Sequence, residues 1–180
     1  VERTFILLLS VIMGATIQLN MIGAQSYLLS KLDAVFLVYT SISAGILSTL
    51  FFRFLSNPKI KFAGFAVLCT SVYATLSFIL GAGILSDTIQ ALLWPILAAF
   101  GMGLFRWIII ELTQRHLNPA RAQSYYSYLS SFFGVGVISI ILILKLFNIQ
   151  LTGENTLYIV SLLFVISSII IAFGFIPSNK

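Results

Sequence analysis

The sequence predicts an all-α polytopic membrane protein, a single domain over 1–180 built from six transmembrane helices. Three observations predict it. The 180 residues are 59% hydrophobic and only 8% charged, with mean hydropathy +1.08. Globular domains carry roughly 25% charged residues, so the medium around this chain must be largely lipid. The fifteen charges (ten Lys and Arg, five Asp and Glu) are also spaced so that long uncharged runs separate them. Finally, Lys and Arg gather in alternate loops.

The uncharged runs occupy 4–30, 34–52, 62–86, 88–105, 122–144 and 155–179. A helix rising 1.5 Å per residue needs about 20 apolar residues to cross a ~30 Å hydrocarbon core, and each run reaches or approaches that length. None alternates polar and apolar residues as a membrane barrel strand does, and helices are the other way to satisfy a backbone in lipid. The expected spans are 5–29, 33–54, 61–84, 88–112, 122–147 and 156–176. The fourth contains Arg106.

Orientation follows from the loops. Arg3, Arg53, Lys59, Lys61, Arg115, Arg121 and Lys180 fall on one side, against Lys31 and Lys145 on the other. The positive-inside rule places the first side, with both termini, in the cytoplasm of a multi-pass cell-membrane protein. The net charge of +5 is thereby explained without nucleic acid. Cys69 stands alone in an apolar run and forms no intrachain disulfide. Residues 4–30 are too long and too polar at their far end for a signal peptide. The sequence opens on Val1 and not on Met, the expectation for a piece of a longer chain.

Turn chemistry marks the connections. Pro58 in Ser56-Asn57-Pro58 ends the second helix, Asn118-Pro119 punctuates the next basic loop, and Thr152-Gly153-Glu154-Asn155 reads as an outer turn leading into the sixth helix. Trp94, Trp107, Tyr125, Tyr126 and Tyr128 suggest aromatic belts at the interfaces, and Trp94-Pro95 a kink in the outer half of helix four. The Ser-, Tyr- and Gly-rich stretch 124–136 predicts a fifth helix packed closely among others and away from lipid.

Polar residues inside the spans carry the functional reading. Gly14, Gln18, Met21 and Gln25 recur at helical spacing and share one face of helix one. Amides in hydrocarbon are costly without partners, so this stripe is expected to look into the bundle or a wet cavity. Plain interhelical hydrogen bonding, with Gly14 and Gly23 permitting close approach, would serve as well. Asn20, on another side, could bond a second neighbour. Arg106 is the one charge well inside a span. It lies about 28 Å from Asp87 along an ideal helix, where its long side chain can snorkel towards cytoplasmic water. Glu111, five residues on, is off its face.

Catalysis and metal binding are not expected. The single histidine, His116, is in a cytoplasmic loop, no HExxH or GxSxG occurs, and the carboxylates are dispersed. A rhomboid-type protease would need a histidine within the membrane. No TVGYG-like filter or Arg-rich voltage-sensing helix is present, and no cofactor is implied.

The run MGATIQLNMIGAQSYLLSKLDAVFLVYTSISAGILSTLFFRFLS, beginning at Met13, resembles helices one and two of the major facilitator superfamily, specifically its ATP/ADP-translocase-like branch of nucleotide transporters. FRWIIIELTQRHLNPARAQSYYSYLSSFFGVGVI (105–138) resembles the same branch from helix four into helix five. The resemblance implies one half, the N-terminal one, of a transporter whose halves each hold two inverted three-helix repeats. A second six-helix half, in the same or another chain, would close a small solute between them. It further implies that helices one and four line the path, with Gln18, Gln25 and Arg106 as candidate residues. The family's Gly-x-x-x-Asp-Arg-x-Gly-Arg type loop is replaced by Arg53 and Asn57-Pro58-Lys59-Ile60-Lys61. A different class of function is a degenerate facilitator-like membrane anchor or scaffold for a fused cytoplasmic regulatory domain.

Overall fold

The structure, a computed structural model, describes residues 2–55, 62–116, 119–149 and 151–175. The described chain is all-α, with six helices: α1 Glu2–Lys31, α2 Val35–Leu55, α3 Phe62–Gly81, α4 Asp87–His116, α5 Pro119–Leu146 and α6 Gly153–Phe175. Among the described residues, five helices (all but α2) are long and apolar enough to cross a membrane, and the apolar part of α2, Val35–Phe51, is shorter.

The helix ends follow local chemistry. Thr152 caps α6, its Oγ1 accepting from the Asn155 backbone N–H at 3.3 Å. The Thr152–Asn155 turn is thus a helix cap. At the end of α5, Asn148 takes φ 53°, its N–H donates to Lys145 O and the Ile149 N–H to Leu144 O. This is a Schellman ending, with asparagine in the left-handed position that usually takes glycine. Pro119 begins α5, where its missing N–H costs no helical bond. Ser56, Asn57 and Pro58 lie outside the described residues. Helix α4 runs through Pro95 and continues to His116, one turn past its expected end.

Helix α1 is the centre of the bundle, packing against α4, α5 and α6 and touching α2. A front layer runs α5–α1–α4–α2, since α2 packs on α4 and α5 on α1. Behind it, α3 and α6 pack tightly together, α6 resting on α1 and α3 on α4.

The α1–α5 seam is tight. A Cβ at Gly14 would collide with the Phe133 carbonyl, and one at Gly136 with the Val11 carbonyl, so the backbones meet where both side chains are absent. Ser10 Oγ donates across the seam to Leu129 O at 2.7 Å. Small residues and single polar bonds are how helices adhere in lipid, where no hydrophobic force separates helix from acyl chain. The expectation of α5 buried among several helices is corrected here. Among the described side chains of α5, only the stripe of Leu129, Gly136 and Ile140 is buried, while Tyr128, Phe132, Val135, Ile138 and Leu142 are exposed. The small residues of 124–136 therefore serve one close contact and not general burial.

Candidate functional site

The polar centre of the bundle is built on Asn20, with 3% of its surface exposed. Trp94 Nε1 donates to Asn20 Oδ1 at 2.7 Å. Asn20 Nδ2 donates to the Tyr73 hydroxyl at 2.8 Å, which in turn donates to Leu97 O at 2.6 Å. One amide thus links α1, α3 and α4. Gly101 makes room for this: a Cβ there would come within 2.5 Å of the Tyr73 hydroxyl. The Tyr73 ring stacks on Phe164 of α6 (centroids 3.9 Å apart), and Phe164 stacks on Phe105 of α4 (4.4 Å). An amide buried without partners costs several kcal/mol (~4–8 in transfer to hydrocarbon), which explains why the three polar side chains converge.

Trp94 is a correction. It belongs to no interfacial belt, being fully buried beside Gly23 and Gly153 with its indole N–H consumed by Asn20. Its neighbour Pro95 hid this role by suggesting a kink. Trp107 is half-buried, meeting Phe62 and Phe65 edge-on, and Tyr128 is exposed.

Two further polar groupings join the helices. On the α3–α6 seam, Thr70 Oγ1 and Ser168 Oγ are 2.6 Å apart, and Ser161 Oγ donates to Ala74 O at 2.8 Å. Where α1 ends and α4 begins, Lys31 pairs with Asp87 at 2.6 Å and the Tyr27 hydroxyl stands 3.4 Å from both Asp87 Oδ1 and Gln90 Oε1. Gln90 is buried with its Nε2 unpartnered.

The sequence-derived candidates fall in three separate places. Gln18 is half-buried beside α5 and lines, with Lys145 and Asn148, a cavity of about 400 Å³ near the C-terminal end of α5. Gln25 is exposed, on the strip formed with Ile22, Ser26 and Leu29. The expectation that the whole Gly14–Gln25 face turns inwards is therefore corrected. Gly14 is sealed against α5 and Met21 packs on the Trp94 cluster, whereas Gln25 is about 9 Å from the end of α1 and can reach polar surroundings. The buried amide of α1 is Asn20. Its Asn-to-Tyr and Asn-to-Trp pairings span 53 and 74 residues, so no local spacing announces them.

Arg106 lines a groove of about 660 Å³ between α4 and α5 with Ser10 and Met13 of α1 at its floor. It is exposed, and Glu111 pairs with Arg115 at 2.7 Å instead. Among the described residues, no group of three or more His, Cys, Asp or Glu is placed to hold a metal ion.

The long apolar helices, with polar atoms paired inside the bundle, give the chain the character of a helical membrane protein. No protein-family model, curated protein or solved structure matches the chain.

Proposed function

We propose that the chain is a six-helix half of a major-facilitator-like secondary transporter for a small solute, with all six helices crossing the membrane and both termini cytoplasmic. One observation carries the reading. Exchanging α1 with α4, α2 with α5 and α3 with α6 maps the helix contacts onto one another. The pair α1–α5 goes to α4–α2, α1–α6 to α4–α3, and α1–α2 to α4–α5, while α1–α4 and α3–α6 are unchanged. Two three-helix repeats inserted with opposite orientation would have this contact scheme, which supports the resemblance read in the sequence. In that arrangement the front layer faces the second half, and α1 and α4 line the path. Gln18, Gln25 and Arg106 are its candidate polar residues.

The reading is tested by uptake in the intact parent protein at controlled expression. Gln18→Leu and Gln25→Leu should lower transport of its solute with little effect on folding, since Leu suits a membrane helix. Unchanged transport in both removes α1 from the path.

The second reading, a membrane anchor or scaffold for a fused cytoplasmic domain, is supported by the closed polar centre. Asn20, Tyr73 and Trp94 bond one another and so serve packing. A soluble regulatory domain flanking residues 1–180 would favour it, and six further spans would favour the carrier.

A further inference from the structure

The groove between α4 and α5 holds three hydrogen-bond donors that the fold itself does not use. Arg106 has no ion-pair or hydrogen-bond partner among the described residues, and neither the Tyr126 nor the Ser130 hydroxyl is engaged there. This is unusual for Ser130 in particular. Hydroxyls on these helices commonly bond back to the preceding turn, as Ser131 does to Ser127 O at 3.1 Å and Thr113 to Ile109 O at 2.7 Å. The rest of the lining that matters is apolar, Ile109 on one wall and Phe133 on the other. No carboxylate lines the groove, and the nearest in sequence, Glu111, is held by Arg115. Arg106 stands about 15 Å from the cytoplasmic end of α4, so its guanidinium sits beside low-dielectric walls without a counter-charge.

We propose that this groove binds an amphipathic anion: a carboxylate or phosphate group on Arg106, Tyr126 and Ser130, with an apolar body laid along Ile109 and Phe133. A planar guanidinium takes an oxyanion through two parallel N–H bonds, and two hydroxyls add donors to the remaining lone pairs. The apolar walls would exclude a fully hydrophilic anion, which would lose hydration on one side without compensation. A volume of about 660 Å³ is in the range of small-molecule pockets. Two sources supply this chemistry, a free solute with a hydrophobic body and an acidic phospholipid of the cytoplasmic leaflet. The inference deepens the transporter reading by naming the chemical class that the front face takes, but its test needs no transport.

The test uses the 180-residue chain reconstituted in phosphatidylcholine nanodiscs, with radiolabelled decanoate as probe and decanol as its uncharged counterpart. Wild type should bind decanoate, and Arg106→Gln should weaken that binding about tenfold or more, as expected for loss of a charge-assisted pair. Decanol binding should be weak and indifferent to the substitution. Phosphatidylglycerol that displaces decanoate assigns the site to a lipid headgroup, and absence of displacement assigns it to a solute; either supports the site. Equal decanoate affinity in wild type and Arg106→Gln overturns it, as does equal affinity for decanoate and decanol. If Arg106→Gln does not reconstitute, Ser130→Ala decides, and wild-type affinity there overturns the proposal. Failure of the transporter reading is seen separately, as uptake by the parent unchanged in Gln18→Leu and Gln25→Leu while decanoate binding stays intact.

Discussion

The indole N–H of Trp94 donates to Oδ1 of Asn20 over 2.7 Å, between two side chains that are respectively 0% and 3% exposed. This bond joins α1 to α4, the two helices exchanged by the contact symmetry, at the depth where Tyr73 also enters. Removing any one member leaves another polar atom without a partner in a site closed to water. The cost of such a bond is therefore larger when broken than its net contribution when made.

Tyr73→Phe should lower stability by about 1–3 kcal/mol, since it strands Asn20 Nδ2 and takes a donor from Leu97 O. Asn20→Ala should do the same, and the double variant should lose less than the sum. Hydrogen bonds between membrane helices average ~0.6 kcal/mol and reach ~1.7, which bounds the coupling. Thermal or denaturant unfolding in a fixed detergent measures it. Strict additivity would show that the two groups do not bond.

Replacing Gly101 by Ala should be more damaging than its single methyl suggests. The new Cβ would lie 2.5 Å from the Tyr73 hydroxyl and drive the ring from its seat against Phe164. A loss of about 1–3 kcal/mol is expected, the usual effect of overpacking. Gly64→Ala, with open space around the position, is the control and should leave the melting temperature unchanged.

At the α1–α5 seam, Gly14→Leu or Gly136→Val should separate the helices, because the added carbons meet backbone carbonyls that cannot move aside. Gly134→Ala lies two residues away over open space and should be tolerated. A disulfide trap between cysteines at positions 10 and 129, in place of the bonded Ser10 and Leu129, would report the seam directly. Trapping unaffected by Gly14→Leu would contradict this packing.

Cysteine probes placed in loops 53–61 and 113–121 of a Cys69→Ala chain should resist membrane-impermeant reagents added outside sealed cells. Seven of the nine loop and terminal Lys and Arg residues lie on that side. Outside reaction at either loop would reverse the proposed topology.

Asp87→Asn should leave stability almost unchanged in thermal unfolding. The Lys31–Asp87 pair is short at 2.6 Å, yet both side chains are largely exposed, and water and salt screen such pairs. A marked loss on unfolding would mean that the C-terminal end of α1 depends on this pair and not on the buried Trp94–Asn20 contact.

The residues alone were enough for the helical elements and their number. Uncharged runs of about twenty residues have one economical solution in lipid, and the breaks between them carry charges or turn residues that lipid excludes. Helix faces were harder to read. Along α1 the regular Gly14–Gln18–Met21–Gln25 spacing looked like an inward stripe, yet Asn20, between its members, is the amide that is buried. Periodicity ranks faces by polarity, and in a membrane an apolar face can meet either acyl chains or another helix without changing composition. Which face turns inwards depends on the partner: Tyr73 and Trp94 for Asn20, Phe133 and Val11 for the two glycines, Ser168 for Thr70. Those partners lie 53 to 125 positions away or on another helix altogether, so their pairing exists only once the six helices are assembled.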